Sequence, residues 1–415
     1  MLLPTATYRA GAFVAAARRV GVSLTVASEQ PSTFQAVEPE RFLTLDFADP
    51  ERAAAQARAF AARVPVHGVV GVDDETAVLA AAIAAALGRR GNPPAAAAAA
   101  RDKYVQRTRL AAAGVPVPRF TRHRVDEDPA LLAGRVPYPC VLKPLRLAAS
   151  RGVIRADTAA AFVTAFERLR RILTAPAVAA CGEPARALLV EEFIPGDEHA
   201  LEGLLVGGRL HVLALFDKPD PLDGPYFEET IYLTPSRVPE EAQRAIAACV
   251  ERAAAALGLV EGPVHAEVRR NPDGLWVIEV AARPIGGRCS RVLRFLRREP
   301  GAEEGDWLSL EEVIVRHALG EALPPLEREP VAAGVMMIPV PRAGVLREVR
   351  GVDAARAVPL VEAVEITAHP GQLLVPWPEG ARYPGFIFAR GDRADAVDAA
   401  LRAAHRRLEF VVDAD

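Results

Sequence analysis

The chain has 415 residues, enough by length for roughly two to four domains with well-filled cores. Its 51% hydrophobic and 25% charged residues exclude a disordered protein. Fifty basic residues against 53 acidic ones leave a net charge of −3, which argues against a nucleic-acid-binding or anionic-membrane surface. In chain order, MLLPT, VSLTVAS (22–28), FLTLDF (42–47) and VHGVVGV (66–72) read as strands. GAFVAAARRVG, ERAAAQARAFAARV and residues 75–88 read as helices between them. Such alternation predicts a parallel sheet in a Rossmann-like layer over 1–100, ended by GNPPAAAAAA (91–100).

A second unit is expected over 101–325. It opens with a capped helix and a proline-punctuated exit in RDKYVQRTRLAAAGVPVPRF. YPCVLKPL (138–145) is a strand, followed by the loop RLAASRGV and a helix over 158–173. ALLVEEFIPGDEHALEGLLVGGRLHVLALFD reads as three strands with a turn, and 240–258 as a helix leading into a hairpin. From 326 to 415, GVMMIPVP, VEAVEIT, YPGFIFARGD and a closing helix over 393–408 form an α+β pattern.

Cys140, Cys181, Cys249 and Cys289 stand far apart without CxxC spacing, and read as reduced, buried thiols of a cytoplasmic protein. The start has no basic segment leading into an apolar one, and the run AVLAAAIAAALG (77–88) is too short to span a bilayer. GxGxxG, GxxxxGK[ST] and GxSxG patterns are absent, which argues against dinucleotide-binding, P-loop and α/β-hydrolase sites. His211, His265 and His369 show no metal-ligand spacing.

Two features point to chemistry. Of the 50 basic residues 47 are arginine and three are lysine: Lys103, Lys143 and Lys218. Where arginine has spread this far, lysine is expected to persist where a compact ammonium on a thin stem is needed. The second feature is the hairpin VHAEVRRNPDGLWVIEVAAR (264–283), which turns at NPDG and carries Glu267 and Glu279 among apolar residues. If 267 pairs with 279, then 268 faces 278, 266 faces 280, and both glutamates share one face. Their Cβ atoms then stand about 5 Å apart and, at an effective dielectric of 20, repel by roughly 3 kcal/mol. A Mg²⁺ between them, completed by phosphate oxygens, removes that penalty. The alternative is a solvated strand face neutralised by Arg269.

The sequence resembles the ATP-grasp superfamily, and within it the carboxylate–amine ligases that include L-amino-acid (dipeptide) ligases. The resemblance covers nearly the whole chain. It rests on DKYVQRTRLAAAGVPVP, VLKPLRLAASRGV, LLVEEFIPGDEHALE, GPYFEETIYLTPS, GPVHAEVRRNPDGLWVIEVAARPIGG and a closing biotin-carboxylase-like region. It implies an α/β architecture: a Rossmann-like N-terminal domain, a two-lobed ATP-grasp core with a mobile lid near 115–190, and an α+β C-terminal domain. By the same resemblance Lys103 and Lys143 hold ATP phosphates, under a loop containing Ser150, Arg151 and Gly152. Glu191 and Glu192, with the backbone at Phe193 and Ile194, match the segment that reads adenine, and Glu198 the acid on the ribose. Glu267 and Glu279 match the ligands of Mg²⁺, with Mn²⁺ as a substitute. Arg283 matches the arginine that steadies the transferred phosphate. Lys218, Glu229, Tyr232, His265 and the Gly286–Gly287 turn fall on the substrate side.

The implied reaction activates a carboxylate as an acyl-phosphate with ATP and joins it to an amine, with small molecules, amino acids among them, as partners. Neither nucleic acid nor membrane is expected as a partner, and the alanine-rich helices are compatible with a homodimer. Two positions depart from the family pattern. Ala281 stands where many ATP-grasp enzymes place an asparagine metal ligand, and Tyr232 where related ligases place histidine after E-x-G. Two other readings stay open: a biotin-carboxylase-like or purine-pathway enzyme using bicarbonate or formate, and a non-catalytic ATP-binding regulator.

Overall fold

The N-terminal layer is held by a short parallel ladder and single bridges. In the computed structural model, which describes residues 1–296, 306–322 and 326–413, β1 (Val26–Ser28) pairs in parallel with β2 (Phe42–Thr44). The segments expected as strands at 1–5 and 66–72 contribute single bridges instead: Leu2 pairs with both Ala27 and Gly71. Helices α1 (Ala10–Val20), α2 (Pro50–Ala61) and α3 (Asp74–Ala86) pack around them. α1 stops at Gly21, whose φ of 76° suits glycine. α2 is capped by Asp49, and α3 by an Asp73–Thr76 capping box.

The alanine run forms α4 (Pro94–Arg101), and Asp102 separates it from α5 (Lys103–Ala112). The Asp102 carboxylate accepts from the N–H groups of Tyr104 and Val105, so the second helix begins at Lys103. Beyond it lie β3 (Phe120–Arg124), β4 (Cys140–Pro144), β5 (Ile154–Ala156) and β6 (Ala187–Glu192). They form an antiparallel sheet in the order β3-β6-β4-β5. The helix Ala159–Thr174 covers it, burying Phe162, Phe166 and Leu169.

A larger sheet carries β7 (Asp197–Val206), β8 (Arg209–Asp217), β9 (Ile231–Thr234), β10 (Gly262–Asn271) and β11 (Gly274–Ala281). It has eight strands and continues past β9 into Ala332–Met337, Gly385–Gly391 and Val361–Ile366. The boundary expected at 326 therefore divides the sequence but not this sheet. The helix Glu240–Leu257 packs Ile246, Val250 and Leu257 against Val264, Ala266 and Val268 of β10.

The β10–β11 hairpin turns at Asn271–Gly274 with Glu267 opposite Glu279 and Ala266 opposite Val280, as the spacing predicts. One pairing differs. A bulge after Glu267 sets Val268 opposite Val277, so Val277 enters the core and Ile278 does not. Three cysteines are buried, whereas Cys181 is exposed, against expectation. None of the described helices is long and apolar enough to cross a membrane.

Candidate functional site

The two sheets meet at a narrow cleft of about 80 Å³. One wall is β4 and β6 of the smaller sheet; the other is the outer face of the β10–β11 hairpin. Ile278, displaced by the bulge, lines it on the hairpin side. Lys103 and Lys143 line it, and Lys218 lies behind its Glu198–Glu229–Glu267 wall; each lysine is 6–8% exposed and sits on a carboxylate. Lys103, at the first position of α5, donates to Glu279 at 3.1 Å and to the Leu147 carbonyl at 3.1 Å. Lys143, on β4, pairs with Glu191. Lys218 donates to Glu198, Glu229 and Glu267, at 2.7 Å in each case.

At one end of the cleft the charges close on themselves. Glu191 lies between Lys143 and Arg107, whose Nε donates to it at 2.6 Å. Arg107 is fully buried, and its guanidinium also donates to the Ile278 carbonyl. Burial opposes ionisation of Glu191, but Arg107 and Lys143 outweigh it and hold the carboxyl below its ordinary range. For Lys143, burial wins over Glu191 and pulls the ammonium down. Phe193 and Ile194 line the cleft beside it, while the Glu192 carboxylate pairs with exposed Arg119.

At the other end lies a nest of acids. Glu198, Glu229 and Glu267 each present an oxygen within 4.8 Å of the others. Burial drives the Lys218 ammonium down, yet the three acids overcome it and hold it well above its usual value. Burial also lifts Glu229, to about 6, against the pull of Lys218. Tyr232 caps the nest with its ring face, 4.9 Å from Lys218 Nζ. Arg269, the neutraliser in the alternative reading of the hairpin, is committed elsewhere: it donates to Glu198 at 2.8 Å and to the Ile194 carbonyl at 2.7 Å. The Glu267–Glu279 pair is thus neutralised by two lysines, one at each acid. Oxygens facing one another suit a hard divalent cation, but the Lys218 ammonium fills the middle of this nest, and Glu279 stands outside it on Lys103.

The remaining candidates lie around the cleft. His265 stands between Glu202 (3.7 Å) and Glu267 (3.8 Å), behind the nest. Arg283 is tied to the N-terminal layer, its Nε donating to Asp74 in the first turn of α3 at 2.9 Å. Gly287, at φ 58°, packs on Met337, and Gly286 lies under the Tyr8 hydroxyl. Ser150 lines the cleft, whereas Arg151 and Gly152 turn toward residues 378–379: Gly152 N–H donates to the Pro378 carbonyl.

Sequence reasoning missed Arg107, Asp74, Glu202 and the 377–379 segment. Arg107 had one available signal, its i+4 spacing from Lys103 on α5, which puts both on one helix face. A wider groove of about 570 Å³ lies apart from this chemistry, between α1 and residues 288–294.

Three family models align with the chain: an ATP-grasp N-terminal domain over 14–88, an ATP-grasp domain over 136–292, and an L-amino acid ligase C-terminal domain 2 over 336–413. Dapdiamide A synthase of Enterobacter agglomerans is 31% identical over 189 residues, 45% of this chain and 43% of that protein. Alanine–anticapsin ligase of Bacillus subtilis (strain 168) is 30% identical over 203 residues, 45% of this chain and 42% of that protein. The matches thus span less than half the length of either relative. The crystal structure of an L-amino acid ligase from Bacillus licheniformis covers 97% of this chain and 96% of its own, with a TM-score of 0.80 at 27% identity. With that overlap nearly end to end, and three domain models falling in the same order along the sequence, the chain belongs to the ATP-grasp carboxylate–amine ligase family.

Proposed function

We propose that the protein is an ATP- and Mg²⁺-dependent ligase that activates a carboxylate as an acyl-phosphate and joins it to an amine, releasing ADP and phosphate. One observation carries the reading: in a chain of 47 arginines, all three lysines pair with glutamates that line one cleft. Lys103 and Lys143 are placed to take phosphate oxygens, with Ser150 and its loop above them. The segment Glu191–Ile194 reads the adenine and Glu198 the ribose. Glu267 and Glu279 hold Mg²⁺, and Mn²⁺ accepts the same oxygen ligands. A divalent cation held there would supply charge compensation for the phosphates.

Arg283, oriented by Asp74, steadies the acyl-phosphate from the substrate side. Glu229, lifted to about 6, is placed to orient an incoming amine and take a proton from it. Tyr232 covers Lys218 with its ring, so an amine-activating role passes to Glu229. The substrates are small molecules, an amino acid as the acid and another as the amine; the compartment is the reducing cytoplasm, and a homodimer is compatible with the fold.

The test is phosphate release from ATP and Mg²⁺ across amino acids offered singly and in pairs, with mass spectrometry of the products. Release that requires a pair and yields the mass of a dipeptide is the expected result. Release that bicarbonate or formate supports, and amino acids do not, overturns it.

A further inference from the structure

The loop that lies over the cleft does not stand alone. Ala149 and Ser150 adopt left-handed φ of 55° and 53°, conformations that side-chain-bearing residues hold only when their surroundings impose them. The imposing contacts come from residues 377–379, more than 220 positions away. Trp377 Nε1–H donates to the Ala149 carbonyl at 2.7 Å, and Gly152 N–H to the Pro378 carbonyl at 2.8 Å. Arg151 Nε donates to the Glu379 carbonyl at 3.1 Å. Arg168, on the helix that backs the lid sheet, grips the Glu379 carboxylate through two bonds of 2.6 and 2.7 Å.

Trp377 is 4% exposed, and its ring lies 4.8 Å from that of Tyr383. Tyr383 packs in one apolar cluster with Val340, whose N–H donates to the carboxylate of Glu228, next to Glu229, at 3.0 Å; burial first, and then Glu229 and Glu228, push its hydroxyl up. One stack of two rings therefore spans from the loop to the substrate end of the cleft.

We propose that residues 377–379 are the surface on which the phosphate loop closes, with Trp377 as a positioning residue that fixes the Ala149–Gly152 backbone and links closure to the Glu229 end. With the Gly152 N–H engaged by Pro378, the Ala149 and Ser150 N–H groups are the ones left to approach phosphate oxygens. This rests on the ligase reading for the identity of the ligand, but the contact itself can be tested without it.

Trypsin cleavage after Arg151, located by mass spectrometry, reports release of the loop irrespective of turnover. Trp377→Phe keeps the ring and loses the N–H; it is expected to raise that cleavage rate about fivefold, the loss of one neutral hydrogen bond. Trp377→Ala and Arg168→Met are expected to raise it further. In the same variants the ratio of phosphate released to amide formed is expected to rise, because a loop that closes poorly admits water to the acyl-phosphate. Unchanged cleavage in a variant with wild-type circular dichroism overturns the proposal. A wild type that shows no ligation at all would sink the functional reading while leaving the cleavage comparison to decide this one. Faster cleavage with an unchanged product ratio removes the link to the substrate end.

Discussion

The Glu191 end of the cleft and the region behind its acid nest are built from the same residue types but satisfied differently. At the first, Glu191 is gripped by Arg107 and Lys143. At the second, Glu202 Oε1, His265 Nδ1 and the Tyr383 hydroxyl are buried with no hydrogen-bond partner among the described residues. Buried polar groups are normally paired, and exceptions concentrate where function demands them. The contrast assigns stability to the Glu191 end.

Substitutions at the two ends put this to the test. The largest effect is expected from Glu267→Gln combined with Glu279→Gln, which leaves Lys103 and Lys218 in place but removes the anionic pair. Turnover should fall by about 1,000-fold or more, as when charge stabilisation in a transition state is lost, and stripping buried Lys103 of its carboxylate should lower the thermal midpoint as well. Arg107→Met attacks the satisfied end. It leaves the buried Glu191 with one cation and should cost about 3–5 kcal/mol of folding stability by denaturant titration. A loss under 1 kcal/mol would show that this end is not the stable one.

Asp217 supplies a pH-dependent intermediate case. Burial raises its pKa, but His199, Ser236 and Arg237 outweigh that and bring the carboxyl down to about 2 from an ordinary 3.8. A folded pKa below the unfolded one means stability that is present above pH 3.8 and is lost as pH falls toward 2. Asp217→Asn should therefore cost about 2 kcal/mol at pH 7, and the gap to wild type should narrow below pH 4. The smallest effect is expected at the unsatisfied end. Burial, opposed by His265, raises the Glu202 pKa, so the folded state holds that proton more tightly than the unfolded chain does. Stability from this group is present at low pH and lost as pH rises through the raised pKa. Glu202→Gln should then stay within about 1 kcal/mol of wild type and gain on it as pH rises.

Much of this was legible in the sequence because it depends on local signals. The Asn271–Gly274 turn set the hairpin register, and with it the facing of Glu267 and Glu279. Lysine scarcity marked Lys103, Lys143 and Lys218 before any contact was visible. The bulge was not legible, because Val277 and Ile278 are equally apolar and β-branched, and either suits the core. Arg107 was hidden among 47 arginines. Asp74 and Trp377 act on residues 209 and 228 positions away, a separation no periodicity reports. In the same way, the alternation of strands and helices predicts a parallel N-terminal layer, in which residues 1–5 and 66–72 contribute bridges in place of strands.

The clustering of the lysines also gives this protein an unusual chemical address. Amine-directed reagents normally decorate a protein surface at random, because lysine is a common exposed residue. Here Lys103 and Lys143 line the cleft, Lys218 lies behind its acidic wall, and each residue is at most 8% exposed. Acylation of these amines thus becomes a gauge of unfolding. A reagent carried on an ATP-like acyl phosphate should mark Lys103 or Lys143 in the folded enzyme, and a free ester should mark the three together only when the chain unfolds.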